Sequence, residues 1–157
     1  VKRFKITEYK KLEKVNLYTV HFKGDEKNET DKFIDTFINH PKYQKDLQTI
    51  IYWIYKRIGK EGTLERFFRP EKNAKALPIQ PANPKLRLYC VRISDKILIL
   101  GNGGVKTSKK VKDCPNCFPH FKNMNDIYFI LNNSREKEET FVEDYKIIGK
   151  LKFYLKD

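Results

Sequence analysis

The sequence predicts one α+β domain over residues 1–157, with helices packed on a mostly antiparallel sheet. Three observations predict it. Residues 41–60 place Tyr43, Leu47, Ile50, Ile51, Ile54 and Ile58 at spacings of three and four, the period of a helix with one buried face. Residues 85–94 (KLRLYCVRIS) and 96–101 (KILILG) read as strands joined near Ser94-Asp95, a connection short enough to pair them as an antiparallel hairpin. The whole order, strand–helix–helix–loop–strand–strand–helix–strand, suits helices on one face of such a sheet.

The elements follow in turn. Residues 15–23 (VNLYTVHFK) alternate and are rich in β-formers, giving a first strand, and 24–28 form a polar turn. A short helix over 30–40 carries Phe33, Ile34, Phe37 and Ile38 on one stripe. Pro41 ends it and opens the second helix, whose far end is flanked by Gly59 and Gly62. From 62 to 84 the chain reads as connecting structure, since Pro70, Pro78, Pro81 and Pro84 exclude a long helix. After the hairpin, Gly101-Asn102-Gly103-Gly104 suits a turn or bulge with positive φ angles. Residues 114–121 are expected to be irregular, held by Pro115 and Pro119. A helix over 122–137, with Ile127, Ile130 and Leu131 apolar, and a last strand within 145–155 complete the domain.

Composition narrows the partners. The net charge is +13, yet 39% hydrophobic residues with 11 Phe and 9 Tyr argue against wholesale disorder. Lysines outnumber arginines 26 to 7, a bias that a genome alone can produce, so clustering says more than the total. Residues 85–112 hold eight cations and one acid, Asp95, and so supply +7 of the +13. A sheet ending in such a patch is a natural surface for a phosphate backbone. No apolar run approaches the length that spans a bilayer, so no membrane partner is expected. The polar, basic run VKRFKITEYKK and an odd count of three cysteines make a cytoplasmic protein the expectation.

Alternation sorts the first hairpin strand. Leu86, Leu88 and Cys90 point to a core, whereas Lys85, Arg87, Tyr89 and Val91 point the other way. A cation beside an aromatic ring can grip a phosphate and stack on a base. The plainer alternative packs Tyr89 on Val91 and leaves Arg87 to solvent. Arg92 follows on the same strand, and Lys106, Lys109, Lys110 and Lys112 follow the glycines, which lack the pattern of a Walker loop. Arg66 and Arg69, in the run LERFFRP, could offset charge on a phosphate, or could be solvated while Phe67 and Phe68 anchor the loop. Cys114-Pro-Asn-Cys117 with His120 has no second CxxC or His pair to complete a zinc site, so neither a metal nor a cofactor is expected. The three histidines, His21, His40 and His120, do not cluster. His40 ends the first helix beside Pro41, where a cation suits the helix dipole. Glu136, Glu138, Glu139, Glu143 and Asp144 read as a solvated loop.

The run LRLYCVRISDKILILGNGGVKTSKK resembles the RelE/HigB superfamily of bacterial toxins, the mRNA interferases of toxin–antitoxin pairs. The resemblance lies in an arginine opening one sheet strand, an apolar hairpin, a glycine-containing turn and then lysines. It covers the middle third of the chain in residues and the remainder in element order. It implies a RelE-like fold, an N-terminal strand and helical pair on the sheet, with a C-terminal helix and strand as an extension. It also implies metal-independent cleavage of translated mRNA at the ribosome, by attack of the 2′-hydroxyl on the adjacent phosphate. Arg87, Lys106, Tyr89 and Arg69 would then be catalytic. Arg66, Lys85, Arg92, Lys109, Lys110 and Lys112 would hold messenger or ribosomal RNA. A cognate antitoxin, with a helix-turn-helix protein as one form of it, is the implied protein partner. Two other classes stay open: a non-catalytic RNA- or DNA-binding module using the same face, and a gyrase-targeting toxin like the ParE branch of the superfamily.

Overall fold

A computed structural model describes residues 1–68, 73–77 and 85–156. Arg69 and the prolines Pro70, Pro78, Pro81 and Pro84 lie outside the described residues. In the N-terminal run Phe4 and Ile6 are buried between exposed Arg3 and Lys5, and this period of two makes it a strand, β1 (Lys2–Lys11). Its polar composition had not suggested one. It pairs antiparallel with β2 (Asn16–Phe22), setting Phe4 opposite Phe22.

Helix α1 (Glu29–Phe37) starts where the Asn28 side chain accepts from the Asp31 amide, an N-cap. Helix α2 (Gln44–Tyr52) passes through a π-helical stretch, Trp53–Ile58, into a last turn, α3 (Gly59–Glu61). The expected single helix therefore exists, with one widened stretch inside it. In the turn before it His40 Nδ1 accepts from the amides of Lys42 and Tyr43.

Beyond a short 3₁₀ turn, Glu65–Phe67, comes a strand inside the expected connection, β3 (Ala74–Leu77). The hairpin follows as β4 (Leu86–Ser94) and β5 (Ile97–Val105), antiparallel as expected. The glycines do not form a turn. Gly101, Gly103 and Gly104 lie within β5, which bulges opposite Tyr89, and none of them has a positive φ. Close approach explains them: a Cβ on Gly103 would stand 1.7 Å from the Arg87 carbonyl oxygen, and one on Gly104 would stand 2.4 Å from that of Asn116.

Helix α4 (Phe118–Glu136) begins earlier than expected because Pro119, in its first turn, needs no amide partner there. Three short strands close the chain, β6 (Thr140–Glu143), β7 (Lys146–Gly149) and β8 (Lys152–Leu155). The expected single final strand is broken at Gly149, whose φ is +91°.

The six-stranded sheet has the order β3-β4-β5-β2-β1-β8, antiparallel except for β2 with β5, while β6 and β7 pair separately. Asn16 donates to the Tyr145 carbonyl and the Tyr18 hydroxyl accepts from the Ile147 amide, which ties the small hairpin to the sheet. An α+β fold with a mostly antiparallel sheet stands. Helices on one face only do not. Leu17, Leu86, Leu88, Cys90, Leu98 and Leu100 meet Phe33, Leu47, Ile50 and Ile58 of the first helices. On the reverse face Phe4, Ile6, Val20, Tyr89, Val91 and Ile99 meet Met124, Ile127 and Leu131 of α4. Ile97 to Leu100 are all buried, as a central strand apolar on both faces requires. Among the described residues, no helix is long and apolar enough to cross a membrane.

Candidate nucleic-acid interface

The basic residues of the hairpin gather where β4 begins and β5 ends. Pairing of Leu86 with Val105 and of Arg87 with Gly104 aligns the two strand ends. One step further the Lys106 amide donates to the Lys85 carbonyl at 2.7 Å, so both lysines leave the sheet side by side. The Lys85 amide is itself held by Asp46 Oδ2 of α2 at 2.9 Å. That bond uses the backbone and leaves the ammonium group to solvent.

The lysine loop after β5 is tied down by a sulfur. The Cys114 thiol accepts from the Ser108 amide at 3.2 Å and lies within reach of the Ser108 and Lys110 carbonyls. A 3₁₀ turn, Val111–Asp113, then leads back to α4. Lys109, Lys110 and Lys112 are exposed on this loop, and Lys106 is half-buried at its root. Among the described residues none of Lys85, Lys106, Lys109, Lys110 and Lys112 has a carboxylate within ion-pairing distance. With Arg87 they make six cations on one end of the sheet, with Asp113 the one acid in the loop. Arg87 is half-buried, its Nη1 donating to the Leu86 carbonyl at 3.0 Å. The buried thiols serve packing: Cys114 anchors the loop and Cys117 lies in the core beside Tyr89.

Tyr89 is therefore not where a ring must stand to meet a base. It is 3% exposed, its ring set edge-on against Phe121 of α4 at 5.7 Å. Burial raises its hydroxyl pKa well above the ordinary tyrosine value, the Cys117 contact adds to that, and only nearby Arg87 opposes it. A phenol held so firmly in its protonated form is a poor proton acceptor. Tyr89 therefore does not take the expected role in stacking or proton transfer, because α4 covers its face of the sheet.

Arg66 and Arg92 form a separate group. Arg92 Nε donates to the Thr63 carbonyl at 2.7 Å and its Nη2 binds Asp95, while exposed Arg66 lies 3.9 Å from Glu61. Both line a shallow hollow with Leu64, Glu65, Phe68 and Asp95. Five residue steps of extended strand separate Arg92 from Arg87, about 16 Å. One RNA grip does not combine them as directly as the sequence suggested.

A small pocket that the sequence did not signal lies on the α4 face. Glu29, Asn102, His120 and Asn123 line it with Val20, Phe22 and Met124. Burial lowers the His120 pKa, and Glu29 works against that shift. These residues lie on α1, β5 and α4, far apart in sequence, and no spacing rule joins them.

Comparison of the chain with family models, with curated proteins and with solved structures found no match.

Proposed function

We propose that the protein is a RelE/HigB-like toxin, an endoribonuclease acting on translated mRNA at the ribosome and neutralised by a cognate antitoxin. The observation that carries this reading is the group of Lys85, Arg87, Lys106, Lys109, Lys110 and Lys112 at one end of the β4–β5 hairpin, five of them without a carboxylate partner among the described residues. Cations preorganised on a rigid strand pair suit the charge that develops on a phosphate during transesterification. In that step the RNA 2′-oxygen bonds to phosphorus and the 5′-oxygen leaves. The proton of the 2′-hydroxyl passes to a base, and the leaving oxygen takes up a proton. Arg87 and Lys106 would stabilise the phosphorane, and the loop lysines would hold the surrounding RNA. Tyr89 has no part in this version.

A second reading has its own support. Tyr89 and Cys117 both stand near Arg87, and burial raises both of their pKa values, which makes each a poor proton acceptor for the 2′-hydroxyl. That favours a non-catalytic RNA- or DNA-binding module on the same face. The two part on one experiment, induced expression in bacteria with mapping of mRNA 5′ ends, beside an Arg87→Ala/Lys106→Ala variant. New ends inside translated frames, absent with the variant, support the toxin. Intact transcripts with folded protein support the binding module. A supercoiling assay on purified gyrase tests the remaining alternative, a ParE-like target.

A further inference from the structure

The first helices pack mainly over β4, β5 and β2 and meet β1 at Tyr9, whose hydroxyl donates to Asp31, which leaves that side exposed at Arg3 and Lys5 of β1 and along β8. Alternation fixes what stands there. Phe4, Ile6, Phe153 and Leu155 point to α4, so Arg3, Lys5 and Thr7 of β1 and Lys152 and Tyr154 of β8 point the other way. The register sets Arg3 opposite Tyr154 and Lys5 opposite Lys152. The Arg3 guanidinium lies 5.2 Å from the Tyr154 ring centroid, and that ring is 56% exposed.

Two features of this face point to an anionic ligand with a flat group to stack. Like charges directly opposite in a sheet destabilise it, yet Lys5 faces Lys152 with no carboxylate on this face of either strand. Glu8 points to the other side, where it binds Asn16 and Lys146. Nearby Asp25 and Asp35 are occupied by Lys32 and Lys27. Next to the lysines stands an exposed ring already backed by a guanidinium, the combination that holds single-stranded nucleic acid on open sheets.

We propose that the β1–β8 face binds single-stranded RNA, stacking a base on Tyr154 and holding phosphates with Arg3, Lys5 and Lys152. The inference rests on the RNA reading above for its choice of ligand, and gives that strand a second point of contact. Both contacts lie toward one end of the sheet. Phe4 pairs with Phe22, and the β2–β5 register, carried on to Phe22, reaches Gly103 opposite Leu88, next to Arg87. Four strand spacings separate β4 from β8, about 19 Å. A strand held at Arg87 would pass around that end of the sheet to reach Tyr154.

The test is fluorescence anisotropy with a short labelled oligouridylate and, as a comparison, duplex RNA. Four forms of the full chain are measured: the unaltered protein, Tyr154→Ala, Lys5→Ala/Lys152→Ala and Arg87→Ala/Lys106→Ala. Loss of the exposed ring is expected to weaken single-strand binding roughly tenfold and to leave duplex binding unchanged. The paired lysine substitution should weaken both and lower the salt dependence. Unchanged single-strand binding by Tyr154→Ala overturns the inference, and if Arg87→Ala/Lys106→Ala still binds less, the hairpin reading survives it. Loss with Tyr154→Ala but not with the hairpin variant keeps this face and removes the hairpin as the RNA grip. No binding by the unaltered protein overturns both.

Discussion

Tyr89 and Gly104 show how one side chain's role depends on what covers it. Alternation puts Tyr89 on the same side of β4 as Arg87, and that much is correct, but a strand cannot say whether its second face is roofed. The roof is α4, and it turns a stacking ring into a core ring set against Phe121. Tyr89→Phe is expected to leave any RNA cleavage unchanged and to change stability by less than about 1.5 kcal/mol, as a volume-conserving swap in a packed core does. Cleavage in extracts and urea unfolding check the two parts. Gly104 reads in sequence as a flexible turn residue, whereas its need is for space under Asn116. Gly104→Ala should cost about 1–3 kcal/mol through overpacking, visible as a lower urea midpoint with an unchanged slope.

The elements most legible in the sequence are those whose period is carried by residues on one buried face. The second helix announces itself through Leu47, Ile50, Ile54 and Ile58, and β5 through four successive buried residues. β1 hides because its open side is charged and only Phe4 and Ile6 mark the other. The start of α4 hides because the prolines of CPNCFPHF read as breakers, although a helix tolerates proline in its first turn. The site was legible in part: six of the eight cations of 85–112 do collect at one end, but Arg92, Lys96 and Arg66 belong to the other. At this scale the Cys114 thiol is the tether of the lysine loop. Cys114→Ala should speed tryptic cleavage at Lys106, Lys109, Lys110 and Lys112 without unfolding the domain, read by mass spectrometry of early fragments. Replacing Lys109, Lys110 and Lys112 with Gln should reduce the slope of log K against log salt by about 2 on single-stranded RNA.

For the whole molecule, coverage of the central strands on both sides leaves function to the ends and the edge of the sheet. The pocket of Glu29, Asn102 and His120 joins α1, β5 and α4, so it reports on the assembly as a unit. His120 titrates below its ordinary value of 6.5 when folded, because burial disfavours the cation. The unfolded chain therefore binds this proton first. Stability should fall as pH drops below about 6.5 and level off once the folded ring is also protonated. His120→Gln should flatten that part of the profile. The loss from Glu8 and Asp25, whose folded pKa values are lowered by Lys146 and Lys32 respectively, comes at lower pH and should remain. Thermal unfolding across pH checks the sign and the window.

The central claim is that Arg87 and Lys106 act on the phosphates of translated mRNA. Induced expression followed by genome-wide mapping of mRNA 5′ ends, with Arg87→Ala/Lys106→Ala expressed to the same level, tests it most directly. The claim predicts growth arrest with new ends inside translated frames, lost in the variant while its fold is kept. Healthy growth with intact transcripts, from protein shown to be folded, would contradict it and leave the hairpin as a binding surface.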